Sequence, residues 1–67
     1  NMNEALKTLA AMIDLIYSEA QRISLSDGLD DKAYLLLREA GIDAINLRQK
    51  ILDARGWNIT AERAKAK

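Results

Sequence analysis

Asp27, Asp30 and Asp31 crowd around Gly28, and carboxylates beside a glycine are the raw material of a calcium loop. Such a loop needs acids at alternating positions and a closing glutamate that grips the ion with both oxygens. Neither is present. Turn and helix-cap chemistry accounts for every residue of the segment, because Ser and Asp satisfy local backbone N–H groups and Gly28 accepts a positive φ. Two further acids, Asp14 and Glu19, sit among polar neighbours and read as a solvated helix face. The chain has no His and no Cys, which removes the usual general base, the commonest metal ligands and any disulfide. It has no glycine-rich phosphate loop and no nucleophile–base pair. The reading is therefore not an enzyme, with no catalytic, cofactor-binding or metal-binding residue and no cofactor.

The cations offer a different chemistry. Residues 1–31 carry two basic and six acidic side chains, net −4, whereas residues 32–67 carry eight basic and four acidic, net +4. One consequence is attraction between the halves, within a hairpin or across a dimer. The other is a basic C-terminal end for nucleic acid. Arg48, Lys50 and Arg55 do not share a helix face, and Asp53 and Glu62 interrupt the series, so a solvated mixed face is the favoured account. A nucleic-acid-binding hairpin dimer stands as the alternative function.

The elements that position these groups are helical. Proline, Phe and Val are absent, and Ala, Leu and Ile alternate with Lys, Arg, Glu and Gln. Met2, Leu6, Leu9, Ile13, Ile16, Ala20 and Ile23 are spaced 4, 3, 4, 3, 4, 3, a strict heptad that marks one stripe of a helix. This spacing predicts helix 1 over about 3–24, capped by Asn1 or Asn3 and with Ala5, Ala10, Met12 and Tyr17 widening the stripe. A turn over 25–30 follows, with Asp27 or Asp30 capping the next helix. Helix 2 is predicted over about 31–55, ending at Gly56, with a short helix or tail over 56–67 in which Thr60 is a candidate cap. Helix 2 bears two apolar rows, one through Ala33, Leu36, Ala40, Ala44, Leu47 and Ile51, the other through Leu35, Ile42, Ile45 and Leu52. It is predicted to run continuous or kinked through Gly41; the rival is a break there with Asp43 as a new cap.

A single domain of 67 residues buries only about 60% of its unfolded surface, and chains this small need a staple. With disulfides and metal ligands gone, the staple left is a second copy. The predicted fold is all-α: an antiparallel helical hairpin that dimerises into a four-helix bundle. Self-association is expected through Leu6, Leu9, Ile13, Ile16 and Ile23 against Leu36, Leu47 and Ile51. A partner protein is expected to meet Leu15, Tyr34, Trp57 and Ile59. The lone Trp57 either anchors that interface or folds back on the core with Ile59. The Asn58-Ile59-Thr60 sequon reads as chance.

No apolar run reaches the ~18 residues of a membrane span, and no secretory signal pattern is visible, so no membrane partner and a cytoplasmic location are expected. The Asn before Met2 reads as a tag remnant, with residue 2 the natural start.

The segments LKTLAAMIDLIYSEAQ (6–21), GLDDKAYLLL (28–37) and LDARGWNITAERAKAK (52–67) give nearly the whole chain a likeness to known proteins. It resembles the small helical proteins of the early, non-essential regions of lambdoid bacteriophages. That resemblance implies a small dimeric helical protein in the host cytoplasm. Its role would be to modulate host or phage regulation during the lysis–lysogeny decision by binding a host or phage protein. It brings no catalytic residue with it.

Overall fold

The computed structural model describes residues 1–66. They form two helices, α1 (Met2–Ser24) and α2 (Asp31–Ala66), folded into an antiparallel hairpin. The result is a rod of 58 × 16 × 10 Å. Among the described residues there is no strand, and no helix is long and apolar enough to cross a membrane.

Both helix starts follow from capping chemistry. The Asn1 side chain accepts from Glu4 N at 2.9 Å, and Glu4 sits at the positive end of α1. Asp30 caps α2, its Oδ2 accepting from Lys32 N at 2.9 Å and Ala33 N at 3.4 Å. Asp30 is thus occupied with backbone, and Asp31 lies in the first turn of α2. Ser24 and Ser26 donate back to the carbonyls of Gln21 and Arg22, closing α1. Gly28 takes φ +89, where a side chain would be strained.

The expectation that helix 2 ends at Gly56 is overturned: α2 runs unbroken through Gly41 and Gly56 to Ala66. The separate C-terminal segment does not exist within the described residues, and Lys67 lies outside them. Thr60 is not a cap; its hydroxyl donates to Gly56 O one turn back. Asp43, likewise, lies inside the helix. The continuation has a tertiary cause. Asn58 Nδ2 donates to Asn3 Oδ1 at 2.9 Å, and Asn3 Nδ2 donates to Glu62 Oε2 at 2.9 Å, so the last turns of α2 are tied to the start of α1. A helix-terminating glycine signal is worth only about 1 kcal/mol, which such docking outweighs.

A methyl group on Gly56 would meet no atom within 4 Å. At Gly41 it would meet a Tyr17 ring carbon at 3.5 Å, an ordinary contact. Alanine therefore fits both sites. Gly56→Ala is expected to stabilise the helix by about 1 kcal/mol, raising Tm by roughly 4–8 °C in thermal circular dichroism.

Candidate functional site

The seam between the helices is narrow and mixes small residues with larger ones. On α1 it follows Asn3, Leu6, Ala10, Ile13, Tyr17, Ala20 and Ser24, all buried or half-buried. On α2 it follows Ala33, Leu37, Gly41, Ala44, Arg48, Ile51, Arg55 and Asn58. Among the described residues only Ala10, Ile13, Gly41 and Ala44 are buried. The Tyr17 ring lies beside Gly41.

This seam uses only half of the α1 heptad. Leu6, Ile13 and Ala20 turn inward as the spacing suggests. The companion row, Met2, Leu9, Ile16 and Ile23, stays outside: Leu9 is 43% and Ile16 58% exposed. The inward positions fall instead to Asn3, Ala10, Tyr17 and Ser24, one residue further along. On α2, Ile51 lies in the seam, while Leu36 and Leu47 are 67% and 48% exposed. The eight expected self-association residues therefore divide. Leu6, Ile13 and Ile51 hold the chain to itself, and Leu9, Ile16, Ile23, Leu36 and Leu47 are left uncovered.

Those five share one face. Arg48 Nε lies 2.7 Å from Asp14 Oδ1, an ion pair rather than an aligned hydrogen bond, and it identifies which edges of the two helices are neighbours. At about 100° per residue, Leu9, Ile16 and Ile23 lie on the edge of α1 away from Asp14. By the same rotation Leu36 and Leu47 lie on the edge of α2 away from that ion pair. The two apolar edges adjoin across one side of the rod.

The opposite side holds a cleft of about 380 Å³ beside the turn, lined by Tyr17, Tyr34, Leu37, Arg38, Ile42 and Ile45 among others. Tyr17 Oη accepts from Gln21 Nε2 there. The four residues expected to meet a partner are not brought together. Leu15 projects from the back of α1, opposite the seam, and Ile59 lies half-buried at the edge of α2. Tyr34 lines the cleft, whereas Trp57 is 76% exposed and about 34 Å further along the same helix. Trp57 does not fold back onto the core. The cleft residues Ile42 and Ile45 were legible as an apolar row in the sequence, but their grouping with Tyr17 depends on the pairing of the helices.

The charges are mostly local. Glu19 pairs with Arg22 one turn on, which holds the Glu19 carboxyl below its usual range and raises the Arg22 guanidinium. The small contribution of this exposed pair is present above the ordinary glutamate range and fades as pH falls through the lowered value. Arg48 is turned to Asp14, and Arg55 Nε is covered by the seam with no hydrogen-bond partner among the described residues. These arginines do not form an outward cationic stripe. Among the described residues no cluster of three or more acids, His or Cys is placed to hold a metal ion.

The rod has more surface than a compact chain of its mass. The chain exposes 5503 Å², against about 4,250 Å² for a compact monomer of 7.5 kDa. The excess is about 1,250 Å² per chain, and a standard association surface covers about 800 Å² per partner.

Fold and surface define a two-helix antiparallel hairpin that leaves apolar side chains uncovered, Leu9, Ile16, Ile23, Leu36 and Leu47 on one side and Leu35, Ile42 and Ile45 on α2 outside that face. Comparison of the chain with protein-family models, with curated proteins and with solved structures finds no match in any of the three.

Proposed function

We propose that this chain is a self-associating helical module whose working unit is a two-chain, four-helix bundle. One observation carries the reading: Leu9, Ile16, Ile23, Leu36 and Leu47 share one face that spans both helices, and nothing among the described residues covers it. Apolar area at about 25 cal/mol per Å² is the driving force. A fully buried core of Ala10, Ile13 and Ala44 is thin support for a rod this long.

Association through this face leaves the Tyr17–Tyr34 cleft open on the far side of each hairpin. The cleft suits an amphipathic segment of a partner protein that sets apolar side chains against Ile42 and Ile45 and a carboxylate against Arg38. The likeness to early-region phage proteins supplies the partner class: a host or phage regulatory protein.

The test is mass in solution. Sedimentation equilibrium of the intact chain at micromolar concentration is expected to give about twice the monomer mass, with helicity falling on dilution. A folded monomer of undiminished helicity throughout that range would contradict the reading.

A further inference from the structure

We infer that the second copy docks antiparallel, α1 on α1 and α2 on α2, about a two-fold axis beside Leu47, with the two turns at opposite ends of the bundle. The inference rests on the self-association reading and adds to it the arrangement of the copies.

The first observation is the order of residues along the uncovered edge of α2. Leu36, Ala40, Asp43, Leu47, Lys50, Ala54 and Trp57 step 4, 3, 4, 3, 4, 3, and every one is exposed. Reversed against itself, this row matches. Leu36 meets Trp57, Ala40 meets Ala54, Asp43 meets Lys50, and Leu47 meets its own copy. A two-fold axis makes each contact twice, so one row supplies two Asp43–Lys50 ion pairs between the chains. It also covers the two most exposed apolar side chains of this edge, Leu36 and Trp57.

The second observation is independent and lies on α1. Its uncovered row reverses onto itself as well: Met2 meets Ile23, Leu9 meets Ile16, and Met12 meets the second Met12. The centre of this row falls at residues 12–13 and that of the α2 row at about 47. The cross-helix contacts Asn3–Asn58, Asp14–Arg48 and Tyr17–Gly41 set residues whose numbers sum to about 60 at one height in this antiparallel hairpin, and the two centres do so to within about one residue. A single axis therefore satisfies both rows.

The competing arrangement lays α1 of one copy on α2 of the other with both turns at one end. At the same heights it sets Lys50 on Leu9 and Asp43 on Ile16. Each charge would then be covered by an apolar side chain without its counter-charge, which is costly.

The absence of cysteine makes the test direct. Leu47→Cys alone, oxidised with glutathione, is expected to give a covalent dimer on a non-reducing gel. Asp43→Lys and Lys50→Asp, each alone, are expected to weaken the dimer about tenfold at low salt, and the doubly exchanged chain to recover wild-type affinity. Residues 43 and 50 are about 10 Å apart along one helix, so the recovery has to arise between chains. Leu47→Cys and Met12→Cys chains that each stay single, while Met12→Cys/Leu47→Cys links across chains, overturn the arrangement and leave the dimer standing. So does a double exchange no tighter than the single ones. A wild-type chain that never associates removes the underlying reading instead.

Discussion

Ile16→Asp is expected to dissociate the bundle. Ile16 is more than half exposed in the single chain, so the substitution leaves the hairpin's own seam intact. In the two-chain unit the new carboxylate is buried against the partner's apolar row, and symmetry places it there twice. An unpaired buried charge costs several kcal/mol, and about 3 kcal/mol already weakens binding by more than a hundredfold. Sedimentation equilibrium at micromolar concentration is expected to show the mass fall to that of one chain, with helicity dropping alongside it. Leu15→Asp is the matched control. Leu15 is one residue away but projects opposite the seam, clear of the face that carries Ile16 and Leu9, and its variant is expected to keep the dimer mass. Equal loss in both variants, or loss in neither, would remove the face from the account.

Ile13→Ala is expected to cost more stability than any other single truncation. Ile13 is the only large side chain among the three fully buried apolar residues, Ala10, Ile13 and Ala44. Cutting a buried isoleucine back to alanine costs about 2–5 kcal/mol, as lost transfer energy and a cavity that the neighbours fill incompletely. Whole domains are stable by only about 5–15 kcal/mol, and a rod with so small a core stands at the low end. Thermal circular dichroism is expected to show Tm lowered by 10 °C or more, at roughly 4–8 °C per kcal/mol. Ile16→Ala separates the two roles of the heptad. Its cost is expected to shrink as the protein is diluted, because it acts through association, whereas the cost of Ile13→Ala persists at every concentration. Identical behaviour of the two variants would mean that the seam and the outer face are not distinct.

Local signals were legible where local chemistry decides. Asn1 and Asp30 as caps, Gly28 in the turn and the helical run through Gly41 all follow from side chains acting within a few residues of themselves. Gly56 shows where that kind of reading stops. Its preference to end a helix is real but small, and residues far away in the chain, Asn3 against Asn58 and Glu62, override it. No pattern near Gly56 announces them. Trp57 is similar. Its size and polar edge suggest an anchor, but whether it turns inward depends on which face of α2 the first helix occupies.

The amino-acid sequence by itself determined an amphipathic first helix, a second helix apolar around much of its circumference, a turn between them and more apolar surface than a hairpin can cover. These follow from periodicity and composition, which act along the chain. It left undecided which rows meet. The Leu6–Ile13–Ala20 row of α1 has bulky neighbours on one side, Met2, Leu9, Ile16 and Ile23, and small or polar ones on the other, Asn3, Ala10, Tyr17 and Ser24. Only the tertiary structure chose the second set for the seam. Ala10, Gly41 and Ala44 let the two helices meet along small residues, and Asn3 finds its polar partners at the far end of α2. That choice turned the bulky row outward and made it a surface.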